Sequence, residues 1–338
     1  MKILELQKFL KAKEIDLALF FNADANITYF AGVKPDIACL AMPAAGKPVL
    51  FVPGFEADRM SRASSVKVVQ VGKDFLKSVH KLFPASRIGI VPDSISYSTA
   101  QKIKAGWSAE LVNIEDACRD LRLVKTGEEI KLITKACAIT DSLFDELCRN
   151  MHLFKTELDV STFLKMRMNQ FGFEPSFPPI VASGKNGATP HHVPSDSKLS
   201  GFTVVDFGII CRNYCSDITR TIFVGKPADK DKKAYEKLLE VQEQCIKKIK
   251  SGITLEEIDK FAHENVGTSM IHRVGHSLGI EVHDVQPKPW ILQPGNVVTI
   301  EPGTYGKFGI RIEDDVLVTE KGPVLLTKSS KNLRIFGR

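Results

Sequence analysis

Residues 203–223 read TVVDFGIICRNYCSDITRTIF, and they contain two strand-like segments that each carry one acid. In the first segment, apolar residues occupy both alternating sets of positions around Asp206, a pattern typical of a strand buried on both faces. Asp217 lies in the second segment, eleven residues later. A hairpin that turns near Cys211 and Arg212 would place the two carboxylates directly opposite each other, with Cβ atoms about 4.5 to 5.5 Å apart.

A second pair of acids recurs near the end of the chain. The segments 297–301 (VVTIE) and 310–314 (IRIED) flank the loop 305–309 (YGKFG), whose two glycines permit a tight reversal. That hairpin would place Glu301 opposite Glu313. Like charges that face each other destabilise a sheet, and buried carboxylates need partners. We therefore predict that the two carboxylate pairs share a cation.

A single acid in a strand is more often at a sheet edge or in a salt bridge, and we expect this of Asp314 and Asp315. Two pairs with matching geometry are harder to explain in that way. Four carboxylates and a nearby imidazole are too many ligands for one zinc ion. They suit two divalent ions that share a bridging water.

Five of the eight histidines fall in two short segments, 191–192 and 272–283. A lone histidine is more often a structural residue, and we expect this of His80, His152 and His263. Clustering at loop edges favours a function instead.

Within the clustered histidines, His276 is the best candidate for a metal ligand, because Gly275 and the small Ser277 leave room around its ring. His191 and His283 are better suited to donate hydrogen bonds to a developing oxyanion or to a leaving amine. The histidines thus divide into one ligand and two donors near the reacting bond.

The composition excludes several functional classes. At 338 residues, with 43% hydrophobic and 25% charged residues, the chain can form two globular domains. Its net charge of +6 is scattered, which argues against nucleic-acid binding. No apolar stretch approaches the ~20 residues of a membrane span, so we expect no membrane association. The seven cysteines are odd in number and scattered, which favours free thiols in the cytoplasm.

The chain changes character after its first third. Residues 1–118 alternate short apolar runs with helical patterns, which predicts a small α/β domain that performs no chemistry. Residues 119–338 contain both carboxylate hairpins, and near their start Thr126 and Glu129 form a capping box that opens a helix. A second long amphipathic helix is predicted over 229–250. We therefore expect an α/β protein of two domains.

At these residues the sequence resembles the Xaa-Pro peptidase family, prolidase and aminopeptidase P, of the pita-bread metallopeptidases. The most specific matches are four segments: 180–191 (IVASGKNGATPH), 205–221, 272–284 (HRVGHSLGIEVHD) and 301–315 (EPGTYGKFGIRIEDD). The resemblance implies a creatinase-like N-terminal domain over 1–118 and a pita-bread catalytic domain over 119–338.

The resemblance also implies roles for individual residues. The metal ligands would be the same five residues that the hairpins and histidines indicate: Asp206, Asp217, His276, Glu301 and Glu313. Glu301 would also shuttle the proton of the bridging water, and His191 and His283 would contact the substrate at the scissile bond. The residues lining the substrate pocket would be His272, Tyr305 and Arg311. Members of the family typically use manganese, cobalt or zinc, and usually form dimers.

Three features depart from the family pattern. Ser277 replaces the usual glycine after the metal-binding histidine, His192 replaces a small residue after His191, and the loop between Glu301 and Glu313 is shorter than in many prolidases. None of them removes a ligand. They leave open the shape of the pocket and hence the length of the substrate.

The expected activity is hydrolysis of the bond between an N-terminal residue and proline in a dipeptide. Action on longer peptides, as in aminopeptidase P, is the alternative. Creatinase-type members lack the full ligand set, and methionine aminopeptidases normally lack such an upstream domain. A catalytically silent relative that binds a peptide or protein in the cleft would be expected to have lost ligands.

Overall fold

The computed structural model describes residues 2–22, 24–72 and 75–337. It contains two compact units, residues 1–122 and 123–338, so the division falls four residues after the predicted boundary at 118. All seven cysteines are buried and free. Within the described parts of the chain, no helix is both long enough and apolar enough to cross a bilayer.

The first unit is a mixed six-stranded sheet with helices. Its strands are β1 Leu17–Phe21, β2 Cys39–Pro43, β3 Val49–Pro53, β4 Lys67–Val71, β5 Arg87–Ile90 and β6 Glu110–Asn113. Its helices are α1 Lys2–Ala12, α2 Ala25–Ala31, α3 Gly54–Ala63, α4 Phe75–Leu82, α5 Tyr97–Trp107 and α6 Glu115–Leu123, with a short 3₁₀ turn at Pro92–Ser94. The strand order is β4-β3-β2-β1-β5-β6, in which β1–β2 and β2–β3 are antiparallel and the other pairs parallel. The small α/β domain predicted from the alternating pattern is confirmed.

Over its described residues, 123–337, the second unit has four helices and four small sheets. The helices are α7 Gly127–Arg149, α8 Glu157–Gln170, α9 Asp229–Lys248 and α10 Leu255–Val266, with 3₁₀ turns at Met151–Leu153 and Gly184–Ala188. The strands are β7 Glu174–Pro175, β8 Ile180–Ser183, β9 Gly201–Phe207, β10 Ile209–Cys211, β11 Tyr214–Cys215, β12 Ile218–Val224, β13 Val297–Ile300, β14 Gly303–Tyr305, β15 Gly309–Arg311, β16 Asp314–Thr319, β17 Gly322–Leu325 and β18 Ile335–Phe336. The sheet orders are β11-β10-β7, β18-β12-β9-β8, β13-β16-β17 and β14-β15.

Local sequence signals explain where the helices of this unit begin. The Thr126 side chain accepts from the Glu129 N–H while the Glu129 carboxylate accepts from the Thr126 N–H, so the predicted capping box is confirmed. Thr254 and Glu257 form the same motif at the start of α10. The apolar faces of α7 and α8 pack on β9, β10 and β12, whereas α9 and α10 pack on β13 and β16. Two helix pairs thus cover the strands that carry the acids.

The first carboxylate hairpin has a different register from the predicted one. Its reversal occupies Arg212 and Asn213, which both have positive φ (47° and 73°), as a two-residue hairpin turn requires. Asp206 therefore lies opposite Thr219, and the prediction that it lies directly opposite Asp217 is wrong. A shift of two residues keeps a side chain on the same face of a sheet, so both acids still point the same way.

The second hairpin has the predicted register. The ladder β13–β16 pairs Ile300 with Asp314, and the ladder β14–β15 pairs Gly303 with Arg311. Both ladders have the same register. Glu301 and Glu313 lie in the unpaired stretch between the two ladders, and this register places them opposite each other. The two hairpins meet through the backbone, because the Glu313 N–H donates to the Thr219 carbonyl at 3.0 Å. The four acids are thereby brought to one region of the second unit.

Candidate metal centre

Buried carboxylates form the floor of a pocket in the second unit. Asp206 lies near the end of β9, and Asp217 lies immediately before β12. Asp206 is only 7% exposed, Asp217 is 4% exposed and Glu313 is 2% exposed. One ligand atom each from Asp217, His276 and Glu313 lie within 4.8 Å of one another. Burial of this many acids without cations would be costly.

His276 presents a free ring nitrogen to these acids. Its Nδ1 lies 3.1 Å from the Ser277 carbonyl, which can only accept, so Nδ1 carries the proton. Nε2 therefore carries a lone pair without a proton, and it lies 3.7 Å from Asp217 Oδ2 and 3.5 Å from Glu301 Oε1. A lone pair that faces two carboxylates suits a shared cation better than a hydrogen bond.

The position of His276 depends on a close backbone approach. A Cβ atom on Gly275 would lie 1.8 Å from the Thr299 carbonyl oxygen, so only glycine allows the segment to lie against β13. This corrects the sequence-based explanation that Gly275 leaves room for the imidazole. The His276 N–H donates to the Thr299 hydroxyl at 3.1 Å, and the Thr299 N–H donates to the His276 carbonyl at 2.9 Å.

Three oxygens of this cluster fit a metal ion. Asp206 Oδ1, Asp217 Oδ1 and Glu313 Oε1 are buried and have no hydrogen-bond partner among the described residues. Their sister oxygens on Asp206 and Glu313 are held by Arg311 Nη2 at 2.6 Å and by the Thr219 hydroxyl at 2.7 Å. Buried polar atoms are rarely left unsatisfied, and unused carboxylate oxygens beside an imidazole are typical ligands for divalent ions.

The pKa values of the clustered acids in the metal-free protein also indicate a cation site. Burial, with the negative charges of Glu313 and Asp206, raises the pKa of Asp217 well above its usual value. Burial, with Glu301 and Asp206, does the same to Glu313. Burial raises the pKa of Glu301 to about 8, against the opposing effect of Arg311. The cluster therefore holds protons near neutral pH unless cations replace them.

Arg311, Tyr305 and His272 form a hydrogen-bonded chain beside the acids. Arg311 Nη1 donates to the Tyr305 hydroxyl at 2.9 Å, and that hydroxyl lies 2.7 Å from His272 Nε2. His272 Nδ1 donates to the Arg273 carbonyl at 2.7 Å, so Nε2 accepts from Tyr305. Burial lowers the pKa of His272 to about 4, which keeps the ring neutral.

The acids open into a pocket of about 900 Å³. Nine of the residues singled out from the sequence line it: Asp206, Asp217, His276, Glu301, Glu313, His191, His272, His283 and Arg311. Its lining, within the described residues, does not include Tyr305, which is 8% exposed and holds Arg311 and His272 from behind. The His283 ring is perpendicular to that of His276, with centroids 4.3 Å apart.

The two substituted residues that depart from the family pattern, His192 and Ser277, lie in different surroundings. His192 lines the pocket. Ser277 is fully buried, and its hydroxyl accepts from Lys125 Nζ at 3.3 Å. Of the two changed residues, His192 is therefore the one that can alter the shape of the pocket.

Sequence reasoning missed several supporting residues. Thr219 donates to Glu313 and accepts from Arg311 Nε at 3.2 Å. It lies two residues after Asp217, so the alternation of a strand would have placed its side chain on the same face as that acid. Asp315, expected at an edge or in a salt bridge, is fully buried and accepts from the Asp217 N–H at 2.9 Å. Asp314 does form the expected salt bridge, with Arg220 at 2.7 Å.

Two family models match this chain. The model of metallopeptidase family M24 matches residues 131–320, and that of the creatinase/prolidase N-terminal domain matches residues 2–124. The chain belongs to metallopeptidase family M24. Membership makes it a hydrolase that depends on divalent metal ions, and it confirms the fold class inferred from the sequence.

Relatives of this M24 peptidase match it over nearly its whole length. An Xaa-Pro dipeptidase of Pyrococcus furiosus is 34% identical, covering 97% of this chain and 98% of its own. A peptidase of Bacillus subtilis whose activity is uncharacterised is 32% identical over 99% of this chain and 100% of its own. Among solved structures, the prolidase of Pyrococcus horikoshii superimposes with a TM-score of 0.91 at 32% identity, covering 98% of this chain and 99% of its own. An X-Pro aminopeptidase of Thermotoga maritima superimposes with a TM-score of 0.87 at 31% identity, covering 96% of this chain and 98% of its own.

Proposed function

We propose that this M24 metallopeptidase hydrolyses the peptide bond between an N-terminal residue and proline, with dipeptides as its substrates. The observation that carries the proposal is the group of unsatisfied carboxylate oxygens on Asp206, Asp217 and Glu313 in a pocket that His276 also lines, where ligand atoms of Asp217, His276 and Glu313 lie within 4.8 Å of one another. Xaa-Pro dipeptidases that are 33–34% identical over 97–98% of this chain support the choice of substrate.

Asp206, Asp217, His276, Glu301 and Glu313 would hold two divalent ions in each subunit, and manganese, cobalt or zinc are the candidates. Five protein ligands rich in carboxylate oxygen are more than one tetrahedral ion needs. Bound there, such ions would lower the pKa of a water molecule towards ~7 and polarise the scissile carbonyl.

Side chains of the pocket supply the proton transfers and the orientation of the substrate. Glu301 lies 3.5 Å from His276 and is the member of the cluster that would take the proton of the attacking water and pass it to the leaving amine. Burial and the nearby His191 lower the pKa of His283, so that ring would act as a neutral hydrogen-bond donor. His191 lines the same pocket and would contact the other side of the scissile bond.

The pocket walls suit proline better than a polar residue. Apolar side chains dominate the lining away from the acids: Phe177, Pro178, Pro179, Ile180, Val193, Pro194, Ile271 and Val282. A proline ring needs no partner for a backbone N–H and has a fixed φ, so an apolar surface can select it by shape.

Substrate length depends on how the product-side carboxylate is bound. Arg311 is already engaged by Asp206 and Tyr305, so it is a poorer anchor for a free carboxylate than its place in the pocket first indicates. Lys165 and Arg273 also line the pocket and are cations that could bind a carboxylate. The alternative is an aminopeptidase that acts on longer peptides, and the similarity to the Thermotoga maritima structure is the observation that supports it.

The test compares an Xaa-Pro dipeptide with an Xaa-Pro-Xaa tripeptide after reconstitution with manganese, cobalt or zinc. We expect the dipeptide to give the higher kcat/KM. Asp206→Asn and Glu301→Gln should abolish hydrolysis while the fold is retained, whereas Glu243→Gln, an exposed acid on α9, should not change it. Faster cleavage of the tripeptide would support the aminopeptidase instead. Retention of most activity in either site variant would refute the assigned roles.

The proposal also includes a cytoplasmic homodimer. Seven buried, free cysteines suit a reducing compartment. The dimer rests on the resemblance to Xaa-Pro peptidases, and light scattering of the purified protein tests it.

A further inference from the structure

A buried carboxylate outside the metal cluster organises one wall of the pocket. Glu157, at the start of α8, is fully buried. Its Oε1 accepts from the Ser183 N–H at 2.7 Å and from Asn186 Nδ2 at 3.0 Å. Its Oε2 lies 2.8 Å from His192 Nε2 and accepts from the Ser195 N–H at 3.0 Å and the Ser195 hydroxyl at 2.8 Å. Both oxygens are thus fully used by one segment of chain.

The segment held by Glu157 lines the pocket that contains the acids. Six consecutive residues between its anchor points line the pocket: Thr189, Pro190, His191, His192, Val193 and Pro194. The segment from 189 to 197 contains no helix or strand, and Val193 is 79% exposed. A loop without regular structure keeps one position only where specific contacts hold it. The contacts of Glu157, together with the hydrogen bond from Arg311 Nη1 to the Pro190 carbonyl at 3.4 Å, are therefore candidates for fixing the place of His191.

His192 is the donor in this set that departs from the family pattern. A small residue there could not reach Glu157, whereas the His192 ring does so while 18% of its side-chain surface stays accessible. Because the carboxylate can only accept, His192 Nε2 carries the proton in this contact. The contact lies one residue from His191, so its loss would loosen the pocket wall beside that histidine.

We propose that Glu157 is a positioning residue for the reaction, and that His192 is the donor by which it holds the His191 loop against the metal pocket. This inference rests on the proposed function only for the role of His191 in hydrolysis. Burial alone would raise the pKa of Glu157, but its hydrogen bonds to Ser183, Asn186, His192 and Ser195 lower it, so the carboxylate remains charged and accepts every donor. Loss of a hydrogen bond to a buried charge costs more than loss of a neutral one.

The test is a double-mutant cycle with metal-loaded protein and an Xaa-Pro dipeptide. We expect His192→Ala to lower kcat/KM by about tenfold in the wild type but by less than about twofold in a His191→Ala background. His192→Gln, whose amide can donate in place of Nε2, should restore most of the loss. His152→Ala, at an exposed histidine of the same unit, is the control and should have no effect. An equal loss in both backgrounds would overturn the positioning role.

A second measurement does not depend on catalysis. In hydrogen exchange, peptides that cover 184–198 should exchange faster in His192→Ala and Glu157→Gln than in the wild type, while peptides from β9 should not change. Unchanged exchange of the loop in His192→Ala would overturn the proposal, even if Glu157→Gln fails to fold. If the wild type does not cleave Xaa-Pro dipeptides, the proposed function fails, and the exchange result alone decides whether Glu157 and His192 hold the loop.

Discussion

The metal-free protein should gain stability at pH 7 when glutamine replaces the titrating carboxyl of Glu301. Glu301 lies between β13 and β14, 3.5 Å from His276 Nε2, and only 18% of its side-chain surface is accessible. Burial raises its pKa to about 8 from an ordinary value of 4.5. The folded metal-free protein therefore keeps a proton that the unfolded chain releases. By linkage, stability is lost as the pH rises from about 4.5 to about 8.

The expected gain follows from that shift. At pH 7 the unfolded carboxylate is fully ionised, and protonating it in the folded state costs about 3 kcal/mol, at 1.36 kcal/mol for each of 2.5 pH units. The accessible part of the side chain lowers this figure, so we expect about 2 kcal/mol. Glu301→Gln removes the titrating group but keeps its size. The metal-free variant should thus be more stable at pH 7 and no more stable at pH 4.

Urea unfolding followed by tryptophan fluorescence measures this difference. The two tryptophans lie in different units, Trp107 in the first and Trp290 in the second. A Trp107→Phe background leaves Trp290, which is 1% exposed, as the reporter of the unit that holds the acids. Chelator-treated protein is compared at pH 4 and pH 7, with the exposed Glu243→Gln as the matched control.

Two results would refute the reasoning. One is a loss of metal-free stability in Glu301→Gln at pH 7, and the other is the same gain at both pH values. Added manganese should reverse the order, because a ligand that binds only the folded state stabilises it in proportion to its affinity. The wild type should then gain more than the variant, which lacks one charged ligand.

Three further results are expected. Metal addition should raise the unfolding midpoint more at pH 8 than at pH 6, because Asp217 must release its proton to bind an ion; differential scanning fluorimetry with manganese checks this. Arg220→Met should lower the free energy of unfolding, measured in urea, by about 3 to 5 kcal/mol, because the buried Asp314 carboxylate loses its salt bridge with Arg220. Thr126→Ala should cost about 1 kcal/mol in the same assay by removing the cap of α7, whereas Thr134→Ala, inside that helix, should cost less.

The sequence predicted the second hairpin better than the first for a physical reason. In the second, Gly306 and Gly309 mark the reversal, and the register follows from the loop. In the first, the turn residues are Arg212 and Asn213, and an arginine with positive φ is not a usual turn signal. Placing the turn one residue early moved the partner of Asp206 by two residues. The prediction that Asp206 and Asp217 lie close together still holds, because a shift of two residues leaves both side chains on the same face of the sheet.

The support of the site was less predictable than the ligands. The ligands are acids in strands, and such residues stand out because apolar neighbours surround them. Glu157 follows Thr156 at the start of a helix, where an acid is ordinary, and its partners lie 26 to 38 residues away in sequence. No local pattern distinguishes an acid that favours a helix terminus from one that anchors a distant loop. Only the fold separates the two cases.

Interruptions of the strand ladders explain how so many acids can converge. Asp217 lies between β11 and β12, Glu301 between β13 and β14, and Glu313 between β15 and β16. Within a continuous ladder, only the directly opposite pair on one face comes within about 4.5 to 5.5 Å, and the next neighbours lie about 7 to 8 Å away, so a regular sheet does not gather four acids at one point. A break frees the backbone to bend, so a side chain can turn towards a common point. The like charges gathered there oppose folding of the metal-free protein, and the cation that offsets them is also what the chemistry needs. A variant that closes one of these breaks should therefore lose metal affinity even with all five ligands present.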